Sequence, residues 1–494
     1  MGAKDKSKGP SPLLRPGKNV WRTAKADQAA LIVDAEDYYR HALDAMVKAR
    51  SQILLIGWDL DTRVSLSDEA REDGAPTVLG PLLSWLSHHR PDLQIYILVW
   101  DEGMLSVPFR GSTPLRMLRW KLDPRISLKW DSSHPLDGSH HQKILVVDDK
   151  VAFSGGIDIT ADRWDTRKHK DDEPGRKRPF TRRVYEPWHD AIMAVDGGAA
   201  EAIGDLARLR WKVATGKELP KAKGEGPIWP EGLEVDFTDV ELGIARTRAK
   251  DGEISEVREI EALFADMVAA AERFVYIETQ YFASRAVAEA IGKRLEEPDG
   301  PEFVVINPKS AYGWLDEAVM GPSRYLLMKA LEKRDPHKRF RIYTPVTEKG
   351  ADIYVHAKIM IVDDRLLRVG SANLNNRSMG LDSECDLVID AQGEERVCRT
   401  IERLRHDLIA EHFGMEPEKV ARCIEEAGSL IAAIEKLRGK GRTLVPFEPK
   451  EPAKLLQKVA KSEALDPEAA RELFEKRARP GLLTRMGRRG LGRR

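Results

Sequence analysis

Two short stretches of the chain carry the same polar residues at the same spacing. His141, Lys143 and Asp148 fall in HHQKILVVDDK, and His356, Lys358 and Asp363 in VHAKIMIVDDR, each as His-x-Lys-x-x-x-x-Asp. One copy arises by chance in roughly one chain in twenty of this composition. Two copies, each followed by a glycine turn at the same distance, are far more specific. Positions i and i+2 of a strand share a face, so each His should stand beside its Lys. Neutral imidazole is a nucleophile and a base, and the lysine beside it supplies positive charge. One His–Lys pair suits an anion. Two facing pairs suit a phosphoryl group attacked from one side and leaving from the other. The catalytic candidates are therefore His141, Lys143, Asp148, His356, Lys358 and Asp363.

Within that set the two aspartates stand apart. Asp148 lies seven residues after His141 and five after Lys143, both odd offsets, so on a continuous strand it faces away from them. Asp148 and Asp363 are expected to hold the fold rather than to act chemically. Another carboxylate must then orient each imidazole through its second nitrogen. Glu384, in RSMGLDSECDL, is the candidate in the second half, and Asp165, in ADRWDT, a weaker one in the first. Asp158 and Asn373 each lie 17 residues after their motif histidine. Asn373 can donate to a phosphate oxygen; ionised Asp158 cannot. Around the turns, Ser371 and the amides of Gly155, Gly156 and Gly370 are candidates for approaching an anion, though the glycines serve a tight turn equally well.

These residues sit in an internal repeat. HHQKILVVDDKVAFSGGIDIT (140–160) matches VHAKIMIVDDRLLRVGSANLN (355–375) at an offset of 215. Upstream, EDYYRHALDAMVKAR with SQILLIGWDL (36–60) resembles REIEALFADMVAAAE with RFVYIETQYF (258–282), at an offset of 222. Ile/Val/Leu-rich strands at 93–100, 126–131, 302–308 and 339–345 complete the pattern. Alternating helices and short apolar strands give an α/β fold, two similar sandwich halves with a helical C-terminal extension. The expected organisation is a basic flexible arm (1–27), a first half (28–212), a Gly/Pro/Lys-rich linker (213–244), a second half (245–414) and the extension (415–494). Helices are expected over 416–438 and 451–478.

Composition narrows the function classes. Of 494 residues, 42% are hydrophobic and 32% charged, which is globular rather than disordered. Eighty basic residues balance eighty acidic ones, so net charge exerts no pull toward nucleic acid or membrane. Cys385, Cys398 and Cys423 show no metal-ligand spacing and fit a reducing, cytoplasmic compartment. No apolar run suggests a membrane span or a secretory signal. The last 19 residues, 476–494, hold eight Lys/Arg and no acid, a solvated tail or a contact with anionic headgroups. The loop 167–183 holds eight Lys/Arg against three acids and reads the same two ways. Trp58, Trp100, Trp164, Tyr281, Phe282 and Trp314 follow or interrupt strands and are candidates for a substrate pocket, with core packing the better expectation for each.

The two motifs, GGID followed by DRWD, then EPWHD, IETQYF and GSANLNNRSMG with its downstream Glu384, together resemble the phospholipase D superfamily over roughly residues 28–413. The run GGIDITADRWDT with EPWHD resembles its phospholipid-cleaving branch, bacterial or cardiolipin synthase-like. The resemblance implies a bilobal fold with one active site between the halves and phosphodiester transfer without metal or other cofactor. It implies that His141 attacks phosphorus to form a phosphohistidine and that His356 serves as acid and base. Lys143, Lys358 and Asn373 would bind the non-bridging oxygens. It implies a phospholipid substrate rather than nucleic acid; the basic ends are expected to make peripheral contact with an anionic membrane, and the chain is expected to be a monomer. The alternatives are cardiolipin synthase-like transfer, an endonuclease, or an inactive scaffold; retention of both His, both Lys and Asn373 weighs against the last.

Overall fold

The computed structural model describes residues 12–101, 113–135, 138–179, 181–224, 226–310, 314–448 and 451. The first half runs β1 (Arg22–Val33), α1 (Ala35–Lys48), β2 (Gln52–Gly57), α2 (Leu79–His89), β3 (Gln94–Trp100), α3 (Thr113–Trp120), β4 (Ile126–Asp131), β5 (Ile144–Val147), β6 (Val151–Gly155), β7 (Trp188–His189), β8 (Ala191–Asp196) and α4 (Gly197–Thr215). The second half opens with β9 (Phe237–Arg248), β10 (Val257–Arg258), α5 (Glu259–Ala270), β11 (Phe274–Glu278), α6 (Arg285–Leu295), β12 (Glu302–Ile306), α7 (Trp314–Arg334) and β13 (Phe340–Val346). It closes with β14 (Tyr354–Val355), β15 (Ile359–Val362), β16 (Leu366–Gly370), α8 (Asn376–Gly380), β17 (Glu384–Asp390) and α9 (Glu395–Phe413). Beyond it lie α10 (Pro417–Ala427), α11 (Leu430–Leu437) and β18 (Thr443–Pro446).

The halves share one mixed sheet, in the order β18-β13-β12-β11-β15-β16-β17-β9-β1-β8-β6-β5-β2-β3-β4. Read outward from the β9–β1 seam, both sides list equivalent strands in the same sequence, as a duplication requires. Alternate residues of each strand feed different cores. In β2, Ile53 and Leu55 pack with α1 and α2, while Leu54 and Ile56 face the core that α4 and α9 cover. That second core contains residues of both halves, Ile203 and Leu206 beside Ile401 and Leu404, so the lobes are joined by apolar burial as well as by the seam. Truncating a fully buried leucine such as Leu206 would cost about 2–5 kcal/mol.

The seam is where sequence expectation and structure part. β1 and β9 pair antiparallel over most of their length, from Arg22↔Ile244 to Ala29↔Phe237. Both fall across the expected margins of arm and linker. Their interspersed alanines and charges (RTAKADQAALIV) hide the strand signal. The expected flexible arm is, from Pro12 onward, built into the second half: the Leu13 amide donates to the Asp390 carboxylate (2.9 Å) and Asn19 donates to Asp266 (2.7 Å). The expected single helix over 416–438 is two, α10 and α11, broken where Gly428 takes a left-handed φ of 64° and the Ser429 hydroxyl caps α11. The expected helix 451–478 and the basic tail lie outside the described residues. No helix among those described is long and apolar enough to cross a membrane.

Candidate active site

Both motif histidines sit just before a buried strand, His141 ahead of β5 and His356 ahead of β15. Each approach segment is paired with the opposite half. The His141 amide donates to the Ser383 carbonyl (2.9 Å), and the His356 amide to the His189 carbonyl (2.7 Å). β7 and β14 extend the second contact into a short parallel pair. These contacts bring the next residue of the partner strand, Glu384 or Asp190, against the imidazole.

The orienting carboxylates are therefore crossed between the halves. His141 Nδ1 lies 3.0 and 3.1 Å from the Glu384 carboxylate oxygens, and His356 Nδ1 lies 2.6 Å from Asp190 Oδ2. Glu384 and Asp190 occupy equivalent places: Gly370 pairs with Asp386, Gly155 with Ile192, and each acid stands two residues earlier. Glu384 is fixed further by the hydroxyls of Ser371 (2.5 Å) and Ser378 (2.7 Å). Burial pushes a carboxyl up, but the imidazole of His141 and the Ser371 hydroxyl hold Glu384 below its ordinary value. With each Nδ1 engaged, Nε2 of both rings is left for the cavity.

That cavity, of about 290 Å³, is lined by His141, Lys143, His356, Asn373, Asp158 and Gln280, with Arg163 and an aromatic wall. Lys143 donates to its own His141 carbonyl (2.8 Å), and Lys358 to that of His356. Gln280 Oε1 is 3.4 Å from both Lys358 Nζ and Asn373 Nδ2. Burial, opposed by Asp190 and assisted by the charge of Lys143, lowers the Lys358 ammonium to about 7. The His356 imidazole is held well below its usual range by burial and by the cations of Lys358, Arg163 and Lys143. The first half differs at one place. Asp158, where the second half has Asn373, lies 3.3 Å from Lys143 and neutralises it, while burial raises its own carboxyl.

Several sequence expectations need correction. Asp165 does not orient His141; it binds His169 Nδ1 (3.0 Å), Arg176 (3.0 Å) and the Trp188 amide (2.8 Å). Glu384 serves the histidine of the other half, and Asp190 is the acid that the reading missed within EPWHD. Asp148 and Asp363 drop out of the catalytic candidates and, as their odd offsets predict, hold the fold instead. The Asp148 carboxylate accepts from the amides of Arg50 (2.7 Å), Ser51 (2.8 Å) and Gln52 (2.6 Å), and Asp363 from those of Arg273 and Phe274 (both 2.8 Å). Each thus ties a motif hairpin to the strand that follows a helix. The turn amides are not free for an anion: Gly156 donates to Ala191 (2.8 Å), Gly370 to Lys358 (3.1 Å) and Ser371 to Cys385 (3.1 Å). The glycines make room instead. A Cβ at Gly156 would lie 2.0 Å from Asp190 Oδ1.

Of the aromatic candidates, Trp58, Trp100 and Tyr281 line the cavity, with Trp58 and Trp100 stacked at 5.6 Å. Trp188, not singled out in the sequence, joins them. Phe282 and Trp164 pack into the cores, and the Trp314 side chain lies outside those described. In the basic loop, Arg167 is spent on Asp407 and Glu411, Arg176 on Asp165 and Arg178 on Asp162, so much of its charge is structural.

Known proteins resemble the chain in sequence and in fold. Residues 129–242 match the family model described as "Phospholipase D", and 264–407 the one described as "Cardiolipin synthase, PLD-like domain". Phospholipase D A of Dictyostelium discoideum is 26% identical over 78% of this chain, which spans 36% of that protein. Phospholipase D alpha 1 of Oryza sativa subsp. japonica is 25% identical over 70% of this chain and 60% of its own length. The chain thus spans between a third and two thirds of these relatives. Among solved structures, phosphatidylserine synthase of Haemophilus influenzae Rd KW20 shares the fold, with a TM-score of 0.54 at 13% identity, over 90% of this chain and 96% of its own. The paired motifs meeting in one cavity and the two family matches, one in each half, place the chain in the phospholipase D superfamily.

Proposed function

We propose that the protein cleaves or transfers the headgroup of phospholipids through a phosphohistidine. The observation that carries this is the pair of imidazoles on one cavity, each with Nδ1 held by a buried carboxylate and a lysine alongside. In the first step His141 Nε2 gives its lone pair to phosphorus, and the P–O bond to the headgroup breaks on the opposite side. The leaving alkoxide takes a proton from His356 Nε2. In the second step His356 accepts the proton of water or of an alcohol as its oxygen attacks phosphorus, and the N–P bond breaks. Lys143, Lys358 and Asn373 would hold the non-bridging oxygens and offset the charge that develops there. The same anion would bring His356 its proton, because it offsets the cations that keep the empty site's imidazole neutral. Relatives named phospholipase D and a fold shared with a phosphatidylserine synthase support a phospholipid substrate. Both motifs lie in one chain, so a monomer suffices.

The test is purified protein on a panel of phospholipids, with and without a primary alcohol, with DNA as control. Headgroup release, and phosphatidyl transfer when alcohol is present, are expected. Cleavage of DNA alone, or no cleavage at all, would sink the reading in favour of a nuclease or a scaffold. His141→Ala should reduce turnover by at least about 10⁴-fold and abolish a trappable adduct. His356→Ala should retain an adduct when the leaving group is activated. Phosphate trapped on His356 instead would reverse the assignment.

Access to a bilayer would come from the basic tail, where Leu482, Leu483, Met486 and Leu491 alternate with arginines. Each basic residue near an anionic surface contributes about 1 kcal/mol, screened by salt. Binding to anionic vesicles should be salt-sensitive and lost on deleting 477–494, while activity on a short-chain soluble substrate persists. Equal pelleting of the truncated protein would exclude the tail from docking.

A further inference from the structure

Behind the cavity a second group of ionisable side chains converges where the halves meet, and the reaction above uses none of them. Asp34 precedes α1, His169 lies in the loop after β6, His189 ends β7 and Glu411 projects from α9; all four are buried. One atom from each, two carboxylate oxygens and two imidazole nitrogens, lie within 4.8 Å of one another. His169 Nε2 is 3.3 Å from Asp34 Oδ2 and 3.0 Å from Glu411 Oε1; His189 Nδ1 is 2.9 Å from Glu411 Oε1 and 3.2 Å from Asp34 Oδ1. A tetrahedral ion bound at about 2.0–2.2 Å sets its ligands roughly 3.3–3.6 Å apart, close to this spacing.

Hydrogen bonding satisfies only part of the group: His169 Nε2 is bonded to Glu411 Oε1 (3.0 Å), and two other inward atoms are left over. Asp34 Oδ2 and His189 Nδ1 are buried and make no hydrogen bond, although oppositely polar atoms surround them. The other oxygen of Asp34 is taken by the Asp190 amide (3.0 Å). The outer nitrogen of each imidazole is held by a further carboxylate: His169 Nδ1 by Asp165 (3.0 Å), His189 Nε2 by Glu278 (2.8 Å). Carboxylates behind two converging histidines are the usual support of metal-ligating imidazole, because they fix the ring and point its free lone pair inward. Charge points the same way. The four carboxylates Asp34, Asp165, Glu278 and Glu411 meet three guanidinium groups, Arg167, Arg176 and Arg442, which leaves negative charge to be balanced. A cavity of about 360 Å³ lined by His169, Asp171, Asp172, Glu348 and Arg442, with three lysines, opens beside the group and offers a path in.

We infer that Asp34, His169, His189 and Glu411 bind one divalent transition ion, zinc by the tetrahedral N₂O₂ set, as a structural clamp between the halves. With four protein ligands no coordination position stays open, so the ion takes no substrate. Its role is to hold His189, whose carbonyl and following residue, Asp190, fix His356.

The test uses the full chain purified without a histidine tag. Elemental analysis should find about one zinc per chain, and X-ray absorption at the zinc edge two imidazoles and two oxygens without sulfur. Stripping with dipicolinate should lower the melting temperature, and one equivalent of zinc chloride should restore it. His169→Gln and Glu411→Gln should lose the ion, while His140→Gln, a buried histidine on the opposite side of the cavity, should keep it. A folded chain without zinc, whose melting temperature does not move when zinc is added, would overturn the inference and leave protons on the imidazoles to balance the charge. Zinc lost on His141→Gln but kept in His169→Gln would overturn it too, by moving the ion to the catalytic cavity. None of these readouts requires headgroup release, so the metal site and the proposed activity stand or fall separately.

Discussion

The two sides of the cavity are built on one plan and braced by different chemistry. On the His141 side, the residue before the orienting acid is Ser383. Its hydroxyl meets Arg210 (2.6 Å) and His140 (2.9 Å), and Asp131 answers the guanidinium. On the His356 side the same position is His189, drawn into carboxylates from both halves. The first brace carries its positive charge in Arg210; the second gathers Arg167 and Arg176 around a larger set of carboxylates. The lysines differ as well, Lys143 being neutralised by Asp158 and Lys358 facing an amide. The His141 side chain is 15% exposed and that of His356 7%. The two halves share the placement of histidine, lysine and orienting acid and differ in the residues that support them. The nucleophile proposed here is the more open ring, beside the lysine of lower effective charge.

The largest test of this comparison removes the braces one at a time. Glu384→Gln and Asp190→Asn should each lower kcat by about 10²- to 10⁴-fold with little change in fold. They should do so at different steps. With an activated leaving group, which needs no proton, the first should slow formation of the adduct and the second only its resolution, so rapid-quench kinetics should show adduct accumulating only in Asp190→Asn. Identical kinetic signatures would mean that the two histidines share both roles.

A smaller effect should appear in the pH dependence of binding. Lys358, held near 7, is surrounded by Asp190, Glu384, Lys143 and Arg163. Above that pH Lys358 loses its charge, so KM should rise with pH while a bound diester restores the proton. For stability the sign is opposite. Between about 7 and the ordinary lysine value near 10.5 the unfolded chain holds a proton that the folded one lacks, so this residue's contribution to stability increases with pH. Lys358→Met should flatten both trends. A KM independent of pH from about 6 to about 9 would show that Lys358 stays charged.

The smallest expected effect restores the symmetry. Asp158→Asn frees Lys143 for the substrate anion and should lower KM roughly three- to ten-fold with kcat little changed. A rise in KM would show that the aspartate positions the lysine more than it neutralises it.

Much of this site was legible in the sequence, and what was not shares a physical cause. The motif strands announce themselves through uninterrupted Ile/Val/Leu runs, and the odd offset of Asp148 foretold a carboxylate turned away from its histidine. Glu384 stood out as an acid leading an apolar strand. Which histidine it serves was not readable, because the contact spans 243 residues and that of Asp190 with His356 spans 166. Contacts so distant along the chain leave no local period. The same holds for Asp34, His169, His189 and Glu411, which show none of the close spacing by which ligand sets are recognised. β1 and β9 escaped for a different reason: a strand covered on both edges by its neighbours tolerates alanine and charge that would mark a loop elsewhere.

The crossed carboxylates also order events in time. On the ribosome His141 emerges 243 residues before the glutamate that holds its ring. At about 5–20 residues per second, that interval is on the order of tens of seconds. Throughout it the nascent first half carries a nucleophile with no fixed tautomer and no partner ring, and the later half is equally incomplete without Asp190. A chain that ends before β17 therefore lacks the carboxylate that holds His141, and the two-histidine cavity is complete only once that strand has joined the sheet.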